Sequence, residues 1–184
     1  VNIVLPDHYL AGYEATEHLI GLGHRRIVFF TGELHIPTHS KLLAGYRGAL
    51  EAHNIIYDPS LVQVSSLERG DDLVQRTKKL DVKYTAILAA NEQMGVDALT
   101  ELKAEGRSIP REISIIAIGG GSLGIQCRPK LSVMSGREKA NAKAILEILE
   151  RSINNYSLEA QKIVLKTSLV ERESTGPCYK GNYD

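Results

Sequence analysis

Gly23-His24-Arg25-Arg26-Ile27-Val28-Phe29-Phe30-Thr31-Gly32 decides how this chain folds. The glycine closes what precedes it, and two arginines keep the mouth of the next element polar. Four apolar residues then run without alternation, which suits a strand covered on both faces. Thr31-Gly32 ends the run and opens a loop. Helix, glycine, buried strand and open loop form the repeating unit of a parallel α/β sheet.

The unit recurs on either side. A short apolar run at 2–5 stops at Pro6-Asp7, and Asp7 is placed to cap a helix over 10–22 with Ala11, Ala15, Leu19 and Leu22 on one stripe. After the strand at 27–30, the loop 31–39 contains Pro37, and Ser40 is expected to cap a helix over 41–53 that buries Leu42, Tyr46, Ala49 and Leu50. A turn at Asp58-Pro59 leads to a strand at 61–64, a loop at 65–69 and a helix over 70–80. A strand at 85–90 ends on Asn91. The helix over 92–105 turns Met94, Ala98, Leu99 and Leu102 inward. An apolar strand over 113–118 runs into Gly119-Gly120-Gly121-Ser122-Leu123-Gly124 and an irregular segment to Lys130. A brief strand at 131–134 precedes a long helix over 137–155 with Ala140, Ala144, Ile148 and Leu149 on its inner face. Strand pieces follow at 163–165 and 168–170, and the polar tail from Glu173 is expected to be disordered.

Strand and helix thus alternate four times between Ile27 and Ile118. Right-handed crossovers make this a doubly wound parallel sheet with helices on both faces. Ligands of such sheets sit beyond the carboxyl ends of the strands. The loops 31–40, 65–69, 90–93 and 119–126 leave those ends, and any site is expected there.

With 184 residues, 43% hydrophobic and 24% charged, the chain can bury a full core as one domain. Lys+Arg and Asp+Glu balance at 22 each, so no net field draws it to nucleic acid or anionic lipid. No apolar stretch approaches a membrane span and no secretory leader is visible. Cys127 and Cys178 are too few for a disulfide or zinc framework, which points to a reducing cytosol. The chain starts at Val1 inside an apolar run without an initiator Met, as expected of a piece of a longer protein.

Three motifs invite enzymatic or metal readings, and each lacks a necessary part. Gly119-x-Gly121-x-x-Gly124 has the dinucleotide spacing, but Arg128-Pro129 arrives before a phosphate-binding helix fits, and no ribose-binding acid follows a second strand. Gly120-x-Ser122-x-Gly124 has the form of a nucleophile elbow, yet all six histidines lie at or before His53. Glu33, His35 and His39 share a loop, but Pro37 prevents helical presentation of a metal pair. His24 is expected to be structural. Asn91 is the most informative polar residue: as an N-cap it needs no other explanation, and its amide also suits sugar hydroxyls. No metal, cofactor or catalytic residue is assigned.

Five segments occur in order: Glu17-His18-Leu19-Ile20-x-x-Gly23-His24-Arg25-Arg26-Ile27, Gly45-Tyr46-x-x-Ala49-Leu50, Ala89-Ala90-Asn91-Glu92-Gln93-Met94, Gly106-x-x-Ile109-Pro110-x-x-Ile113-Ser114 and Leu169-Val170-x-Arg172-x-Ser174-Thr175. Together they resemble the effector-binding domain of lactose/galactose-repressor (LacI/GalR) family transcription regulators, from about Asp7 to Thr175. The resemblance implies a cytoplasmic homodimer with a periplasmic-binding-protein-like, two-lobed domain and a sugar-like effector in the cleft. Operator DNA would be reached only through an N-terminal helix-turn-helix outside residues 1–184, with no membrane and no enzymatic activity. On this reading 13–130 is the second lobe, 1–6 and 135–158 are a remnant of the first, and 173–184 is a tail. Implied ligand positions are Asn91, Leu42, Ser66, Gly119 and Gly120. Implied dimer positions are Val96, Leu99 and Cys127, although core packing would equally account for apolar residues there. Two departures stand out. Leu42 occupies a position where the family often has an effector-binding arginine, and Gly119-Gly120 replace two aspartates. The expected effector is therefore not an ordinary neutral hexose, or the small-molecule site is weakened. The competing reading is an extracytoplasmic solute-binding protein of the same fold.

Overall fold

Gly23 adopts φ +95°, a left-handed turn that stops α1 (His8–Gly21) and sends the chain into β2 (Ile27–Thr31). Asp7 caps α1 by accepting a hydrogen bond from the Leu10 amide at 3.0 Å, and Arg25 donates to the Ile20 carbonyl at its far end at 2.8 Å. All five residues of β2 are buried, as an unalternating apolar run requires. The computed structural model describes residues 3–66, 69–79, 83–136, 138–154 and 162–179.

The remaining elements are β1 (Ile3–Pro6), α2 (Pro37–Ala52), β3 (Val62–Val64), α3 (Asp71–Lys79), β4 (Ala86–Ala89), α4 (Glu92–Ala104) and β5 (Ser114–Ile118). They continue with α5 (Leu123–Gln126), β6 (Ser132–Ser135), α6 (Glu138–Asn154), β7 (Lys162–Leu165) and β8 (Ser168–Val170). Six strands form the main sheet in the order β3-β2-β4-β5-β6-β8. The first five run parallel, and β8 closes the edge antiparallel to β6. β1 and β7 form a separate two-stranded parallel sheet, to which α6 packs on the β1 side.

Winding reverses at β2: the chain moves outward to β3, then crosses back to β4 on the other side of β2. With right-handed crossovers this puts α1 and α2 on one face and α3 and α4 on the other. The first pair crosses closely. A Cβ on Gly45 would collide with the Tyr9 carbonyl and the Tyr13 amide nitrogen. The predicted inner faces of α2 and α4 are buried. Tyr46 lies beneath its helix, stacked on Phe29 at 5.6 Å, with its hydroxyl donating to the Ile27 carbonyl at 2.9 Å.

Three expectations are corrected. Pro37 does not keep 31–39 out of the helix: it is the first residue of α2, where its missing amide hydrogen has no helical role, and Ser40 lies inside rather than capping. The segment from Glu173 is not disordered as far as Tyr179, because Ser174 and Thr175 are buried and hydrogen-bonded. On α6, Ile148 is buried but Leu149 is 50% exposed. The two-stranded sheet is too narrow to cover a full helical stripe, and Ile145, Leu146 and Ile153 are exposed as well. The side chains of Ala140 and Ala144 lie outside the described residues, as does position 2 of the first strand.

Candidate functional site

The carboxyl ends of β2, β4 and β5 lie side by side, because those strands are neighbours and parallel. β2 ends in Thr31-Gly32, β4 leads into Asn91, and β5 runs into Gly119-Gly120. The Ala90 amide donates to the Phe30 carbonyl at 2.8 Å and locks the first two ends together. The crevice between β2 and β4 is where winding reverses, and open α/β sheets take ligands at that point.

Asn91 is extended, half-buried, and caps α4 through its side-chain oxygen, which accepts from the Met94 amide at 2.8 Å. Next to it, Glu92 turns its carboxylate under the glycine bend and is only 8% exposed. Its Oε1 accepts from the Gly124 amide at 2.9 Å. A Cβ on Gly121 would lie 2.6 Å from Oε2, and one on Gly124 would lie 2.9 Å from Oε1. The glycine spacing that mimics a dinucleotide motif thus leaves room for a side chain of the same protein. Gly119, at φ +140°, sits over the Glu92 Cβ. The turn after it is the four-residue α5, too short to present a phosphate-binding terminus.

The other expected positions are spread more widely. Ser66 is exposed at the end of β3, on the outer side of β2. Leu42 is 0% exposed and belongs to the core, one turn before Tyr46. Leu99 is 3% exposed in that same core, whereas Val96 and Cys127 are half-buried at its margin. Burial, with the Glu92 charge second, raises the Cys127 thiol pKa. Glu33 and His35 pair in the open at 3.1 Å, while His39 is buried against Gly32. Among the described residues, no cluster of three His, Cys, Asp or Glu is arranged to hold a metal.

The rim carries polar groups that the sequence reading did not single out. Thr31 is 0% exposed, and its hydroxyl has no partner among the described residues. The same holds for the buried Nδ1 of His8, at the start of α1. Desolvation lowers the His8 pKa, and the nearby Lys41 charge lowers it further. No local motif joins these residues, because the crossing of α1 over α2 brings them together.

The amino ends of the strands are closed differently. Residues 172–178 lie across them as a strap. Ser174 Oγ accepts from the Ser132 amide at 2.8 Å and donates to the Ile115 carbonyl at 2.6 Å. Ser132 and Thr175 hydroxyls meet at 3.0 Å, and His18 reaches Thr175 at 3.2 Å. His24 Nε2 faces the Ser114 hydroxyl at 3.0 Å and the Gly176 carbonyl at 3.1 Å. A carbonyl only accepts, so Nε2 carries a proton. Burial lowers the His24 pKa, as expected for a structural histidine.

A model of the periplasmic binding protein-like domain matches residues 16–175. The chain is 28% identical over 176 residues to the HTH-type transcriptional regulator CelR of Thermobifida fusca, covering 95% of this chain and 52% of that protein. It is 31% identical over 180 residues to the HTH-type transcriptional regulator DegA of Bacillus subtilis (strain 168), covering 96% and 53%. Its structure resembles that of the transcriptional regulator CelR–cellobiose complex with a TM-score of 0.86 and 28% identity, covering 95% of this chain and 54% of that one. The Escherichia coli transcriptional repressor ascG superposes with a TM-score of 0.82 at 25% identity, covering 93% and 63%. The chain spans about half the length of the curated relatives it matches.

Proposed function

The chain belongs to the periplasmic binding protein-like domain family, and on that premise we propose that it is the effector-sensing and dimerisation part of a LacI-type transcriptional regulator. The observation that carries this is the shared rim: Thr31-Gly32, Asn91 and Gly119-Gly120 end three neighbouring strands at the winding reversal. A small molecule held there and against the first lobe would shift a two-state equilibrium that the dimer passes to DNA-binding heads. The cellobiose complex of a relative makes sugars the class to begin with. The curated relatives are HTH-type regulators, which favours this reading over an extracytoplasmic solute-binding protein, over an enzyme, and for a cytoplasmic location.

The first lobe would include β1, β7 and α6. Ile145, Leu146, Leu149 and Ile153 on α6, with Ile3 and Val164 on the strands, leave an apolar face that further first-lobe chain would cover. The dimer surface would run over half-buried Val96 and Cys127 and the exposed Leu123 and Ile125 of α5, which packs against α4. Asn91 would hydrogen-bond the effector beside Gly119 and Gly120, with Ser66 at the outer edge of the cleft and Leu42 beneath it. Resemblance to the family places an arginine at position 42 and aspartates at 119 and 120, so their absence sets this site apart.

Calorimetric titration of the intact regulator against a sugar library, followed by operator-binding assays with each ligand found, tests the proposal. A ligand that alters operator binding is the expected result. DNA binding insensitive to every ligand that binds would refute it.

A further inference from the structure

Resting on that reading, we infer that the effector is an anionic sugar, a sugar acid or sugar phosphate, whose acid group docks at the amino end of α2 beside Thr31, His8, His39 and Lys41. α2 has sixteen residues, and Ile36 at its N-cap makes no side-chain capping bond. The first intrahelical bond on this end runs from the Ser40 amide to the Ile36 carbonyl; Ile36 itself donates to the Glu33 carbonyl and Pro37 has no N–H, so the Thr38 and His39 amides are the ones outside the helical ladder. An uncapped end of this length attracts negative charge.

A second, independent observation points to a ligand at the same place. Thr31 alternates with Phe29 and Ile27 on the α2 side of the sheet, as the Phe29–Tyr46 stack shows. Its hydroxyl is therefore aimed at α2, fully buried, with no partner among the described residues. A buried hydroxyl without a bond is costly and needs a reason. The following residue, Gly32, lies directly under the His39 imidazole, where a Cβ would strike the ring. His8 brings a second imidazole from α1, and the charges of Lys41 and His39 both act on it. Two imidazoles and a lysine are thus carried by the opening turns of α1 and α2.

The nearby acids are already engaged. Asp7 caps α1, Glu33 pairs with His35, and Glu92 is turned onto the Gly124 amide. Carboxylates that would accept hydroxyl hydrogens are missing where Gly119 and Gly120 stand. The rim therefore offers donors for an anion more than acceptors for a neutral polyol.

The test is calorimetric titration of the intact regulator with D-galacturonate and glucose 6-phosphate, each against its neutral counterpart, D-galactose or D-glucose, and with inorganic phosphate as competitor. The expected result is that one charged sugar binds at least about tenfold tighter than its neutral counterpart. Which of the two does so separates sugar acid from sugar phosphate. Lys41→Gln, at an exposed position, and His39→Gln, checked for an unchanged melting temperature, should each erase that preference. Neutral sugars binding as tightly as charged ones, or a preference that survives both substitutions, would overturn the anionic class and leave the cleft reading standing. Failure of every sugar to bind would overturn both.

Discussion

The two rims of the main sheet are built from the same strands and treat their polar groups in opposite ways. At the amino ends, Ser114, Ser132, His18 and His24 meet Ser174, Thr175 and Gly176 of the strap, and these groups bond to one another. At the carboxyl ends, Thr31 and His8 hold buried polar atoms with no partner among the described residues, beside half-buried Asn91 and a glycine bend. Apart from the buried His24 Nδ1, which has no partner among the described residues, the first rim is bonded within the chain, and the second is left for another molecule. Polarity does not mark the functional end, since both are polar. Unmet hydrogen-bonding capacity at the winding reversal does.

The sealed rim is the more sensitive of the two to substitution. Ser174→Val removes both the acceptor for the Ser132 amide and the donor to the Ile115 carbonyl, leaving two buried backbone groups unpaired. A loss of about 3 kcal/mol is expected in urea unfolding, with ligand affinity unchanged for the fraction that stays folded. His24→Leu should cost about 2 kcal/mol by the same measurement, since it strips a donor from Gly176 and a partner from Ser114.

Part of the pH response comes from the same rim, alongside the lowered pKa of His8 at the other. Burial lowers the folded-state pKa of His24 and His18 below the usual 6.5, so the unfolded chain takes up protons first as pH falls. Their contribution is present in full above about 6.5 and is lost as pH drops through the lower folded values. Denaturation midpoints measured from pH 7.5 to 5 should fall, and His24→Leu should flatten that slope. A slope unchanged in the variant would remove His24 from the account.

At the open rim the expected stability effects are smaller. Asn91→Ala should cost about 1 kcal/mol, the value of a helix cap. Asn91→Asp keeps the accepting oxygen over the Met94 amide and should leave stability nearly unchanged, while replacing the amide donors with negative charge. Lost ligand binding with an intact melting curve would separate the recognition role of Asn91 from its capping role. If Asn91→Asp binds ligand as the parent does, capping alone accounts for the residue.

Much of the sheet was legible because its signals are local. An unalternating apolar run marked β2, Gly23 marked the stop of α1, and Asn91 marked the start of α4. The strap was not legible: a polar stretch with Gly and Pro reads as a tail, and what orders it lies 42 to 62 residues away in Ser132 and Ser114. Pro37 misled because a proline both forbids a helix interior and favours its first turn, and only the fold decides between them. Helical period identified which side chains of α6 share a face, but the width of the surface opposite decided that Ile148 is covered and Leu149 is not. At the rim, Asn91 and the glycine bend were expected together and adjoin through Glu92. Thr31 and His8 were not singled out, and His39 only as a metal candidate with Glu33 and His35, since a crossing of two helices, not a motif, joins them. The glycines at 121 and 124 were the available hint of the Glu92 carboxylate, a spacing that no phosphate explained.

Hydrogen exchange on the intact protein, with and without saturating effector, tests the assignment of the two rims most directly. Ligand-dependent protection is predicted in 31–41, 90–94 and 118–124, with 172–178 already slow to exchange and unaltered. Protection concentrated in the strap, with the carboxyl ends of β2, β4 and β5 unchanged, would contradict the account.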